Sequence, residues 1–113
     1  MHDIHAQFRF LPISAQKVRL VIDVIRGKSA NDALEVLRFM NKRAALPVRK
    51  LVASAVANAE ENFGVSRDDL YVAKIVADEA PTRKWRSFGA RGRFKPILRR
   101  NSHVSIVLRE RGA

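Results

Sequence analysis

Twenty consecutive residues without an acidic side chain, Pro81 to Arg100, separate two segments patterned as β-strands, and they restrict the possible folds more than any other feature. The stretch holds eight cations (Arg83, Lys84, Arg86, Arg91, Arg93, Lys95, Arg99 and Arg100), interleaved with Trp85, Phe88 and Phe94. A structureless loop of this length is rare inside a compact domain. An extended two-stranded hairpin, with Gly89 and Gly92 supplying the turn, is the better solution. Arms of about nine residues at about 3.3 Å each would reach roughly 30 Å beyond the body. Such a ribbon cannot bury its own apolar face, and its cations repel one another. Both problems vanish if it inserts into folded nucleic acid, where cations neutralise phosphates and aromatic rings stack on bases or fill grooves. Arginine outnumbers lysine here, which suits bidentate phosphate contacts. A solvated basic loop is the plainer alternative, and the ordered interleaving of aromatics counts against it.

Charge is concentrated in this region. The chain carries a net +11, of which residues 81–113 contribute +9 and residues 1–80 only +2. A near-neutral body therefore carries a strongly basic appendage, and the natural partner is a polyanion. With 113 residues, 47% of them hydrophobic, one domain with a real core is expected over residues 1–113, its hairpin at about 80–102. The chain has no cysteine, which excludes disulfides, cysteine zinc sites and thiol chemistry. No apolar run approaches the roughly 20 residues that span a bilayer. Met1–His5 lacks the charged-then-apolar pattern of a signal peptide. The expectation is a soluble cytoplasmic protein with no membrane association.

The remaining pattern is that of a small α+β domain. Ile4 to Phe10 alternates with period two, which predicts a strand with Ile4, Ala6, Phe8 and Phe10 facing the core. Ser14 is placed to cap a helix whose apolar stripe is Val18, Val21, Ile22 and Ile25, with Arg19 and Asp23 one turn apart and Gly27 as its stop. Ser29 and Asp32 resemble a capping box for a second helix with Ala33, Leu34, Leu37 and Met40 on its apolar side. Asn41 can cap a third, alanine-rich helix with Ala44, Leu51, Val52, Ala55, Val56 and Ala59 on one face, ended by Gly64. Pro47 there predicts either a kink or a helix that begins near Leu46. Leu70 to Asp78 alternates again, with Tyr71, Ala73, Ile75 and Ala77 on one face and Val72, Lys74 and Val76 on the other. The last strand runs from Ser102 to Arg109, with Val104, Ile106 and Leu108 aligned. The expected architecture is three helices packed on a small three-stranded antiparallel sheet, with a long protruding basic β-hairpin.

With these residues in view, the chain resembles the bacterial-type L-twenty-two family of large-subunit ribosomal proteins. Ser14–Val21 and Ile25–Lys28 look like the family's first helix and its exit. Ser54–Glu60 and Asp69–Val72 are similar to its third helix and following strand. Asp78–Thr82, Ala90–Arg93 and Ser102–Val107 resemble the base, tip and return strand of its hairpin. The resemblance runs nearly end to end. It implies a structural constituent of the large ribosomal subunit that binds ribosomal RNA, supports subunit assembly and contacts neighbouring large-subunit proteins. It also implies that the hairpin lines the nascent-peptide exit tunnel, close to the growing polypeptide, and influences macrolide antibiotics and stalling peptides. The tunnel-facing tip would comprise Arg86, Ser87, Phe88, Gly89, Ala90, Arg91, Gly92 and Arg93. The chain departs from the family at Phe88-Gly89, where proline then arginine is common, and at Phe94 and Pro96, where charged residues are common.

The expected RNA-binding set is Arg83, Lys84, Trp85, Arg86, Arg91, Arg93, Lys95, Arg99 and Arg100 on the hairpin, with His103 at the return strand. Lys17, Lys28, Lys42, Arg43, Arg49 and Lys50 are the candidates in the body, where each alone could equally be solvated charge. Rival classes fit less well. Architectural DNA-binding proteins also extend basic β-arms, but those arms usually end in an apolar wedge on a dimer, and no dimer seam is evident in this sequence. Gly89-x-x-Gly92 is shared with the KH clamp, whose loop joins helices rather than strands. A nuclease site would need Asp68, Asp69, Asp78 and Glu79 around a magnesium ion, yet adjacent carboxylates on a strand point to opposite faces. His2, His5 and His103 are too scattered for a metal site, so no enzyme activity, metal, cofactor or homo-oligomer is expected.

Overall fold

The computed structural model describes residues 3–81, 83–88 and 94–111, the hairpin strands through their backbone. In chain order the elements are β1 (Asp3–Leu11), α1 (Ala15–Ile25), α2 (Ala30–Phe39), α3 (Ala45–Phe63), a 3-10 turn (Arg67–Asp69), β2 (Leu70–Glu79), β3 (Arg83–Phe88), β4 (Phe94–Arg99) and β5 (Ser102–Glu110). Strands β1, β5 and β2 form one antiparallel sheet in that order, and β3 pairs with β4 as a separate two-stranded ribbon. The architecture is therefore the expected α+β one. The helices cover one face of the sheet, with α3 over β1 and β5, α1 over β2, and α2 against α3.

Local signals explain most helix ends. Ser14 Oγ accepts the Lys17 N–H, and Ser29 Oγ accepts the Asp32 N–H, so both serines cap as their positions suggest. The stripe Val18, Val21, Ile22 and Ile25 is wholly buried, as is the α3 face from Ala44 to Ala59 named above. Gly27 and Gly64 take φ of +83° and +64°, left-handed conformations that a glycine adopts without steric cost and that end α1 and α3. Asn41 does not cap α3. The helix starts at Ala45 with Ala44 as an N-cap that makes no side-chain bond. Pro47 then occupies the third helical position, where its missing N–H would have had no helical partner, and this matches the alternative of a start near Leu46. Arg19 and Asp23 do not pair. Asp23 accepts from Arg26 at 2.7 Å, while Arg19 Nε and Nη2 donate to the Ala77 carbonyl at 3.1 and 2.8 Å, tying α1 to β2.

Two bulges overturn the simple alternation expected of β1 and β2. In β1 the pairing with β5 shifts between Phe8 and Leu11. Phe10 takes φ +56° and is 50% exposed, while Leu11 goes into the core at 3%. One extra residue reverses every later side chain, so Phe10 is not the core residue that period two implied. In β2 the shift lies between Val72 and Lys74, and the buried set is Leu70, Val72, Ile75 and Ala77 rather than one continuous parity. Strand β5 has no such break on its inward side, where Val104, Ile106 and Leu108 are fully buried as expected. It is the central strand and receives both bulged neighbours.

The ribbon grows out of the sheet. Strands β2 and β5 pair down to Glu79↔Ser102, the Ala80 N–H donates to the Asn101 carbonyl at 3.0 Å, and the ladder resumes one residue out of step at Arg83↔Arg99. It continues to Phe88↔Phe94. Each described arm is six residues long, about 20 Å at about 3.3 Å per residue, and the remainder of the nine residues per arm read from the sequence falls partly outside the described residues. The expected turn glycines, Gly89 and Gly92, lie outside the described residues.

Candidate nucleic-acid interface

Pairing register fixes which ribbon positions face each other. Arg83 stands opposite Arg99, Lys84 opposite Leu98, Trp85 opposite Ile97, Arg86 opposite Pro96, and Ser87 opposite Lys95. Successive positions alternate across the pleat, so cationic positions occur on both faces of the ribbon. The root pair is arginine against arginine, a directly opposed like-charge pair that destabilises an isolated hairpin. Neither β3 nor β4 joins the three-stranded sheet, so both keep a free edge. A proline such as Pro96 is at home in a strand of this kind, where a missing backbone donor need not break a ladder. Of the expected set, Arg83, Lys84, Trp85 and Arg86 lie on β3 and Lys95 and Arg99 on β4. Ser87 and Phe88 end β3, whereas Gly89, Ala90, Arg91, Gly92 and Arg93 lie outside the described residues.

The body's cations fall into two groups. Arg19 and Arg26 donate to main-chain carbonyls of β2, at Ala77 and Ile75, and Arg26 also holds Asp23. Arg67 pairs with Glu60 at 2.9 Å and Arg109 with Asp3 at 2.8 Å. The hydrogen bond from Arg109 holds the Asp3 carboxyl below its usual range, and the same bond holds the Arg109 guanidinium above its own. Arg38 and Arg111 lie over the rings of Phe39 and Tyr71, at 5.5 and 5.2 Å from the centroids. These arginines are already engaged. By contrast Lys17, Lys28, Lys42, Arg43, Arg49, Lys50 and Arg100 have no ion pair or side-chain hydrogen bond among the described residues, and all but the half-buried Arg49 are exposed. The sequence-based candidates are thus the uncompensated charges, a distinction that sequence alone could not draw. Arg9 and Lys74 share that state and were not in the set.

Tertiary structure brings only some of these together. Lys17 from α1, Arg43 from the turn before α3 and Arg100 at the end of the ribbon line one groove at the hairpin root. Lys28 is elsewhere: its carbonyl accepts the Val72 N–H near the far end of β2, about 23 Å along the strand from Glu79 at about 3.3 Å per residue. His103 has an internal role. Its Nδ1 accepts the Phe10 N–H at 3.0 Å, replacing the ladder partner lost at the bulge, and the rings meet edge to face at 4.7 Å and 85°. Only Nε2 is left for an outside contact. Of the acids weighed for a nuclease, Asp68 accepts from Asn31 at 2.8 Å, and among the described residues no group of three His, Asp or Glu could hold a metal ion. No described helix is long and apolar enough to cross a membrane.

A compact body thus presents uncompensated cations beside a ribbon whose paired strands carry Arg83, Lys84, Arg86, Lys95 and Arg99 and no acid. That surface suits a phosphate-rich partner able to enclose the ribbon. In comparison with known families, the family model described as Ribosomal protein L22p/L17e matches residues 6–109.

Proposed function

Because the chain belongs to this ribosomal protein family, a structural constituent of the large subunit that binds ribosomal RNA, we propose that its ribbon threads between RNA segments and lines the nascent-peptide exit tunnel. On this reading, Arg86 to Arg93 face the tunnel and the growing polypeptide. Arg83, Lys84, Trp85, Lys95, Arg99, Arg100 and the uncompensated body cations rest on RNA, and His103 offers Nε2 at the root. The protein works in the ribosome of the cytoplasm as a single copy beside neighbouring large-subunit proteins. It assists assembly by fixing RNA segments against one another, with no catalysis. The observation that carries this reading is the acid-free ribbon whose register opposes Arg83 to Arg99. Such a pair favours an ordered hairpin only where phosphates stand around it.

The chain has no cysteine, so Ala90→Cys introduces a unique thiol at the proposed tip. Ribosomes carrying this variant and stalled on nascent chains should form tip-to-nascent-chain cross-links with a short bifunctional thiol reagent. Ser54→Cys, on an exposed position of α3, should form none. Absence of cross-links from Ala90→Cys at every nascent-chain length would refute tunnel lining. Failure of the protein to co-migrate with the large subunit on a sucrose gradient in high salt would refute stable placement on its RNA.

A further inference from the structure

The groove at the hairpin root lies where the ribbon meets the body. Its volume is about 690 Å³, and three of the cations lining it come from separate parts of the chain: Lys17 on α1, Arg43 before α3, and Arg100 where the ribbon rejoins the sheet. None of the three has an anionic partner among the described residues. One carboxylate, Glu79, shares the groove, so the balance among the described residues is three cations to one anion. Exposed like charges disperse unless something holds them, and three that converge from distant sequence positions create a field directed at one volume. Two of them belong to the body and the third to the ribbon. Among the described residues the chain passes from body to ribbon at Ala80–Pro81 and returns at Arg100–Asn101, and the pairing slips by one residue between Glu79↔Ser102 and Arg83↔Arg99.

We propose that this groove holds a backbone phosphodiester of ribosomal RNA, clamped between Lys17 and Arg43 on one side and Arg100 on the other, and that this contact sets the ribbon's angle on the body. The proposal rests on the RNA-binding reading above and adds a specific site and a mechanical role. A phosphodiester fits better than a base, because the charged donors lining the groove are guanidinium and ammonium groups and no aromatic side chain lines it among the described residues. The pairing slips by one residue at the root, and an anion bridging Arg100 to the body would fix the ribbon's direction there.

The test uses the full chain and deproteinised large-subunit ribosomal RNA. The triple variant Lys17→Gln, Arg43→Gln, Arg100→Gln should lower the slope of log affinity against log salt by about 2–3, from three contacts at about 0.7–0.9 each. Glu79→Gln removes the opposing carboxylate and should tighten binding instead. The clamp has its own readout in hydrogen exchange of the segment containing Ala80, whose N–H bonds to Asn101 across the root. RNA should slow this exchange in the parent chain and not in the triple variant. Slowing that persists in the triple variant, or a parent-like salt slope, overturns the proposal. If 10 mM inorganic phosphate alone slows exchange there as much as RNA does, the groove is a free-anion site and the proposal again fails. If the parent chain itself shows no steep salt slope, the RNA-binding reading fails before the groove is in question.

Discussion

Excising residues 83–99 separates folding from binding within one molecule. The cut joins Thr82 to Arg100, leaving Pro81, Thr82 and Arg100 to connect Ala80 to Asn101. Those two residues are already hydrogen bonded at 3.0 Å, and a three-residue connection is a common hairpin length. The core cluster of the residues whose side chains are described lies at positions 4–77 and 104–108, all of which the excision keeps. Two effects favour the shortened chain. Loop closure becomes cheaper, by about 0.6 kcal/mol for each halving of loop length and so at most about 1.7 kcal/mol, less whatever β3–β4 pairing already recovers. Net charge falls from +11 to +4 with the loss of seven cations, which relieves self-repulsion. The unfolding free energy should therefore stay within about 1 kcal/mol of the parent, or rise slightly, against a total of about 5–15 kcal/mol for a domain of this kind. RNA affinity should respond in the opposite way, the salt slope dropping by about 3–4 from the four excised cations placed on RNA, Arg83, Lys84, Lys95 and Arg99. Stability is read from urea unfolding by far-UV circular dichroism, because the only tryptophan, Trp85, leaves with the segment. Loss of a cooperative transition, or a fall of more than about 2 kcal/mol, would show that the ribbon supports the body and refute this division of labour.

Three further perturbations have definite signs. Ile106→Ala empties a fully buried position on the central strand and should cost about 2–5 kcal/mol in urea unfolding, whereas Leu20→Ala, at a position 62% exposed, should stay within about 0.5 kcal/mol. Asp3 is held below its usual range in the folded state by Arg109, so its contribution is present above the unfolded carboxylate range and is lost as pH falls through the folded value. Asp3→Asn should remove that part of the acid-side decline in stability, and an unchanged pH profile would show that this exposed pair adds nothing measurable. Arg83→Glu replaces the like-charge pair with Arg99 by an opposite-charge pair worth about 0.2–1 kcal/mol. The free ribbon should gain order, seen as wider amide chemical-shift dispersion, while the RNA salt slope falls, and parallel changes in the two would contradict the proposed role of the cations.

Much of this protein can be read along the sequence because the relevant physics is short-ranged. Caps at Ser14 and Ser29, stops at Gly27 and Gly64, and the stripes of α1 and α3 depend on neighbours within one or two helical turns. The basic segment had to be a ribbon because twenty acid-free residues had no economical alternative as a loop. Its charge named the class of partner, and the quoted motifs named the family. What sequence could not supply came from contacts between distant residues. The bulges at Phe10 and Ala73 arise from fitting β1 and β2 to a common central strand, and only the β5 partner reveals the change of parity. His103 looked like a free contact residue until Phe10, far away in the chain, lost its ladder bond and took the imidazole nitrogen. Arg19, Arg26, Arg67 and Arg109 are indistinguishable from Lys17, Arg43 and Arg100 in a charge count. Packing decides that the first four meet carbonyls or carboxylates of the protein, while the last three converge, unneutralised, on one groove at the root of the ribbon.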